Sequence, residues 1–271
     1  MTKKFVALAL AMFTFSVGAG PTAVHTNGDA HSRVLAQILF PNAPVIASPG
    51  ADGLFVWKKL DGNKADVAIQ PALAVHFLPL STGKEDYAAT HDLLATLATT
   101  RQVLMARSSS AVGSVADIKN AGKPATVGWI GNACGTLLKD VFTTHGVELV
   151  YVPYKTPQEA TTAFLGGHID YICPAAAALQ QLTDSGAGKT VLDLTEHHKF
   201  ALTTNLFVSK DMPEATRQTI LRQLTRSLTQ EDLALAKTNG FVLSVRTGSE
   251  ANNVFLRDRA AWQKIVKSVA K

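Results

Sequence analysis

The sequence predicts an α/β fold. Short segments rich in β-branched residues alternate with segments of helical periodicity. Glycine, proline or a helix-capping residue stands at most junctions between them. Beyond a leader-like N-terminus, 252 of the 271 residues remain, enough for two lobes of about 100 residues or more, each with its own core.

The N-terminus has the three-part layout of a secretory signal. Lys3 and Lys4 supply positive charge, Phe5 to Val17 is an apolar run, and Val17-Gly18-Ala19 offers small residues for cleavage near Ala19. The run is shorter than the roughly 20 apolar residues a membrane span needs. Export to the periplasm is the expectation, and no cysteine after the cleavage region offers a lipid anchor. The chain carries a net charge of +5, or +3 once Lys3 and Lys4 are lost. Its Lys and Arg residues are scattered and its aromatics few, which argues against a nucleic-acid partner.

The elements follow in order. Thr22 to Thr26 reads as a strand, Asn27-Gly28-Asp29 as a turn, and Asp29 as the cap of a helix through Leu39. A strand ends near Ala47. The Pro49-Gly50-Ala51-Asp52-Gly53 turn opens a helix through Lys59, and Ala65 to Ile69 is a buried strand. Val103 to Ala106 is a strand, and Ser114 to Asp117 has capping-box spacing. Thr126 to Ile130 is a strand that runs into a glycine-rich turn, Gly131 to Gly135, with a helix over Thr136 to Thr144. Leu149 to Val152 is a strand. Thr156-Pro157-Gln158-Glu159 starts a helix that stops at Gly166-Gly167. Strands follow over Ile169 to Cys173, Thr190 to Leu194 and Leu202 to Val208. Two helices close the chain, one after Pro213 and one capped by Ser249.

Several of these segments, in order, resemble the Bug family, the receptors of tripartite tricarboxylate transporters. The carrying motifs are the Asn27-Gly28-Asp29 turn with Ala30 to Gln37 after it, Pro49-Gly50-Ala51-Asp52-Gly53, and Gly128-Trp129-Ile130-Gly131-Asn132. They continue with Val152-Pro153-Tyr154-Lys155 and Leu165-Gly166-Gly167-His168-Ile169-Asp170. The chain departs from the family at Asn27 and Gly28, at Trp129 and Ile130 where small residues are usual, and at Cys134. The resemblance implies a type II periplasmic-binding-protein (Venus-flytrap) fold, two lobes joined by two crossing hinge strands. Lobe one would span residues 20–106 and 206–271, and lobe two residues 107–205. It also implies a receptor that captures a small organic acid and delivers it to a membrane permease, acting as a monomer without cofactor.

Binding an acid calls for donors more than for charge. Helix starts present unpaired N–H groups and a positive dipole end, and small residues let a ligand approach. Candidate contacts in the first lobe are Asn27, Gly28, Asp29 and Gln70. In the second they are Trp129, Gly131, Asn132, Cys134, Gly135, Thr136, Tyr154, Lys155 and Cys173. Asp29 and Thr136 read equally as plain helix caps, Gly28 and Gly131 as turn residues, and Gln70 as a surface amide. Trp129 stacks on a ligand or belongs to a core. Asp170 reads as structural. Cys134 and Cys173 form a disulfide or stay as thiols. The histidine pairs lack ligand companions at a metal-site spacing. A cysteine hydrolase built on Cys134 is the enzyme alternative, but Asn132 and Thr136 stand where a nucleophile elbow needs glycine. A sensor or scaffold without a transport role is the other alternative.

Overall fold

The computed structural model describes residues 20–49, 53–83, 86–122, 124–129, 132–200 and 202–269, with backbone alone for Trp129 and Asn132. The leader segment and Gly131 lie outside the described residues. Two mixed sheets organise the chain. The first contains β1 (Val24–Thr26), β2 (Val45–Ala47), β3 (Val67–Pro71), β4 (Asp92–Thr100), β10 (Leu202–Val208) and β11 (Phe241–Thr247), in the order β11-β4-β10-β3-β1-β2. The second contains β5 (Val103–Arg107), β6 (Ala125–Trp129), β7 (Leu149–Pro153), β8 (Tyr171–Cys173) and β9 (Gly188–Asp193), in the order β7-β6-β8-β5-β9.

Helices cover both faces of the first sheet. Leu35 and Leu39 of the Ala30–Leu39 helix pack with Ile220 and Leu224 of the Glu214–Leu224 helix on one face. Val56, Trp57 and Leu60 of the Leu54–Gly62 helix pack with Phe255 on the other. This double coverage explains the continuously buried run of β3 from Val67 to Gln70. Three predicted caps form, while Ser249 lies inside its helix, which starts at Gly248. Asp29 accepts the Ser32 N–H at 2.7 Å, Ser114 the Asp117 N–H and Thr156 the Glu159 N–H, each at 3.2 Å. Glu159 reaches one residue further back than a capping box requires, to the Lys155 N–H at 3.1 Å.

Crossing points differ from those expected. The chain leaves the first sheet through the turn Arg101-Gln102 and returns between Asp193 and Leu202. Ala106 and Leu206 lie inside β5 and β10, because each of those strands pairs along its length within one sheet. A third link joins the halves. The long helix Gly248–Val269 begins against the first sheet and ends on the Asn132–His145 helix. There Lys139 Nζ donates to the Val269 carbonyl at 3.0 Å, and Ser268 bonds Asp140. Trp262 sits at its middle, fully buried, with ring centroids 5.3 Å from Phe77 and 5.5 Å from Phe200.

Trp262→Ala removes the aromatic contact that ties this helix to both halves. Denaturant unfolding should show a loss of about 3–5 kcal/mol. A loss under about 1 kcal/mol would show that the helix does not brace the two sheets.

Candidate ligand site

Strand direction decides which loops meet. β1, β2 and β3 run parallel, and β10 is antiparallel to both β3 and β4. The C-terminal ends of β1 to β4 therefore share the edge where the chain crosses to the second sheet. In that sheet β6 is parallel to β7 and β8, and β8 is antiparallel to β5, which begins at the crossing. The C-terminal ends of β6, β7 and β8 thus face back toward the first sheet. Open α/β sheets hold ligands at such carboxyl ends. Residues 27–29 and 70 lie on one facing edge, and residues 129, 132–136, 154–155 and 173 lie on the other.

In the first lobe, the turn uses part of its own donor set. Gly28, at φ +85°, donates its N–H to Thr26 Oγ1 at 3.2 Å, and the Asp29 N–H goes to Asn27 Oδ1 at 3.2 Å. Asp29 Oδ1 caps Ser32, while its Oδ2 is buried without a hydrogen bond among the described residues. The open donors are therefore one step further on. The Ala30 and His31 amides, the first two of the helix, have no acceptor among the described residues.

His31 is the neighbour that the sequence reading passed over. Its ring stacks on Phe241, centroids 4.4 Å apart at 21°, and Nε2 lies 3.1 Å from Thr204 Oγ1. Burial pushes its pKa down to about 4, against the opposing pull of the Asp29 carboxylate. A neutral imidazole therefore sits beside the helix start.

Gln70 is not a surface amide. It has zero exposure, and its Nε2 donates to the Gly53 carbonyl at 3.1 Å. Gly53 adopts φ +94°, and any Cβ there would come within 2.9 Å of Gln70 Oε1. Gln70 thus fixes the head of the Leu54–Gly62 helix.

In the second lobe, the helix expected from Thr136 begins at Asn132. Thr136 lies in its second turn, so it is not the N-cap. The residues read as a turn, Asn132 to Gly135, are the first helical turn. Cys134 and Gly135 are buried and Thr136 is half-buried. Cys134 pairs with Cys173 in a disulfide, with Cα atoms 6.6 Å apart, so both sulfurs lie behind the cleft edge at 4% and 3% residue exposure. Gln102, in the crossing turn, donates Nε2 to Cys173 Sγ at 2.9 Å and to the Pro174 carbonyl at 3.3 Å. Tyr154 packs against the Val103, Met105 and Ile169 cluster, and its ring lies 3.1 Å from where a Gly128 Cβ would stand. Lys155 is exposed. Asp170 accepts both the N–H and the hydroxyl of Thr126, at 3.0 and 2.9 Å, which is the structural role expected for it. Trp129 and Asn132 lie on the edge by backbone position, and their side chains lie outside the described residues. Gln102 carried no sequence signal, since it acts only through partners remote in sequence, and Gly53 read only as the end of a turn.

No protein-family model and no curated protein sequence matches the chain. Solved structures do. A TctC solute-binding protein from Polaromonas, without ligand, superposes with a TM-score of 0.71 at 20% identity, over 92% of this chain and 98% of that one. A Rhodopseudomonas palustris protein solved with adipate gives 0.74 at 15% identity, over 92% and 97%. MatC from the same species, with bound malate, gives 0.67 at 14% identity, over 91% and 99%. The chain thus has the two-lobed periplasmic-binding-protein fold.

The buried imidazole has a pH signature. Because the folded pKa of His31 lies below its ordinary 6.5, the unfolded chain takes up a proton that the fold refuses. Its contribution, on the order of 3 kcal/mol, is complete above about pH 6.5 and is lost as pH falls toward 4. His76, held at about 3 by burial and by Arg259, adds in the same sense. In His31→Gln, the fall in stability between pH 6.5 and 4, followed by denaturant unfolding, should be shallower. An unchanged slope would mean that His31 titrates normally.

Proposed function

We propose that this chain is an extracytoplasmic receptor of the tripartite tricarboxylate type, which captures a small organic acid between its lobes and hands it to a membrane permease. The observation that carries the reading is the pair of helix starts on facing strand ends. One offers the Ala30 and His31 amides, and the other is the first turn of Asn132–His145. A carboxylate placed between them receives N–H groups and the positive dipole end of a helix from each lobe. Its contacts then exist only when the lobes are close, which is how a ligand drives closure.

Further support comes from the ordered motif resemblance and from structural neighbours whose ligands are adipate and malate. The lobes are best divided where the sheets divide. Lobe one takes the segments ending near Thr100 and resuming near Leu202, and lobe two takes the segment between. The leader-like residues 1–19 favour export, as do neighbours described as a periplasmic transporter and the periplasmic binding protein BugD, and the receptor would act as a monomer without cofactor. Against a hydrolase, Cys134 held in a disulfide has no thiolate to offer as a nucleophile. A sensor without a permease would use the same cleft.

Thermal unfolding in the presence of mono-, di- and tricarboxylates, aromatic acids and nicotinate tests the reading. The right acid at about 100 times its Kd should stabilise by about 2.7 kcal/mol, raising the midpoint by roughly 5–10 °C. No shift with any acid, together with ester or amide turnover abolished in Cys134→Ala, would overturn it.

A further inference from the structure

A cavity of about 620 Å³ lies beside the crossing between the lobes. Its walls are the end of β4 at Thr99 and Thr100, the edge strand β9 at Thr190, and the edge strand β11 at Phe241 and Val242. In the first sheet β11 is at the opposite end from β1 and β2, and in the second β9 is at the opposite end from β7 and β6. The crossing strands therefore stand between this cavity and the candidate ligand turns, and no residue of those turns lines it. Walls come from both lobes. Leu179 and Thr183 lie on the Ala176–Asp184 helix of the second, and Lys237 lies on the Gln230–Thr238 helix of the first.

Its charge is unbalanced. Asp193 is held by Arg101, with Nε and Nη2 at 2.8 and 2.5 Å, and Arg257 is matched by Asp258 at 2.8 Å. Of the remaining charges on the lining, Lys199 and Lys237 face Glu196 alone, and neither lysine has an ion pair among the described residues. Lys199 is also a backbone outlier. At φ +56° it is the non-glycine residue in the left-handed region among the described residues. It closes the Leu194–His197 helix, with its N–H on the Glu196 carbonyl and that of Phe200 on the Thr195 carbonyl. Glycine adopts that position at lower cost. A lysine there holds an ammonium at the cavity at the expense of backbone strain.

From this we infer a second ligand site behind the crossing strands, which takes a small carboxylate with an apolar body. Lys199 and Lys237 would meet the carboxylate from the two lobes. Leu179 and Val242, the latter 66% exposed, would cover the apolar part with the rims of Phe200 and Phe241. Such an occupant touches both lobes, so its affinity depends on the angle between them, and linkage makes the dependence reciprocal. Phe241 also stacks on His31 at the first helix start, so the site adjoins the proposed cleft and is told apart from it by where the shifts fall.

The test is a benzoate titration of the full oxidised chain, followed by amide ¹H–¹⁵N spectra. Saturable shifts are expected at Thr183, Lys199, Lys237 and Val242 below about 10 mM. Lys199→Ala and Lys237→Ala should each weaken binding about threefold, and Glu196→Gln should tighten it by a similar factor. Lys199→Gly should weaken binding as Lys199→Ala does without lowering the thermal midpoint, which separates a ligand contact from a structural role. Shifts confined to Gly28 and Gly135 would reject the cavity while leaving the receptor reading intact. Unchanged affinity in both lysine variants would reject the site, and acetate binding as tightly as benzoate would reject its apolar half.

Discussion

Everything in this molecule depends on how two sheets are held at a two-residue crossing. Arg101 and Gln102 form the whole outgoing link, and each is pinned to the return segment or to the second lobe. The Leu194 N–H donates to the Gln102 carbonyl at 2.9 Å, and Arg101 pairs with Asp193. Gln102 also reaches Cys173 and Pro174 with its side chain. The outgoing and return strands are thus joined at one level. Rotation about that level moves the two rows of strand ends relative to each other and works against the helix link at Lys139 and Ser268.

The residues around the cleft are positioned from behind, and the chain of contacts leads back to the same strands. Gln70 holds Gly53 and is registered beside Asn205 on β10. Asn205 Nδ2 lies 3.4 Å from Thr203 Oγ1, and Thr203 stands near the Asp258 carboxyl. Burial raises the pKa of Asp258 while Arg257 and Thr203 oppose the rise. A polar band of Asp258, Thr203, Asn205 and Gln70 therefore runs through the core to the head of the Leu54–Gly62 helix. In the second lobe the disulfide does the equivalent work. It fastens the first turn of the Asn132–His145 helix to the end of β8, which the crossing glutamine also contacts.

Local chemistry was legible in the sequence. The caps Asp29, Ser114 and Thr156 act within three residues, so their spacing sufficed. The alternation of strands and helices was legible for the same reason. Strand β4 was not read, because its Asp92–Thr100 stretch is rich in alanine and threonine, and two register shifts against β10 break the alternation that marks a strand. The π-helical turn Leu73–Phe77 and strand β11 were missed as well. The start of the Asn132–His145 helix was hidden because small residues there resemble a turn. Burial of Gln70 was invisible, since it follows from Gly53 seventeen residues away. The role of His31 was hidden because its stacking on Phe241 joins residues that no local pattern connects.

Small-angle scattering of the chain with and without a stabilising acid tests most directly whether two helix starts close on one carboxylate. The account predicts a smaller radius of gyration and a more compact profile at saturation. An acid that binds tightly while the profile stays unchanged would contradict it.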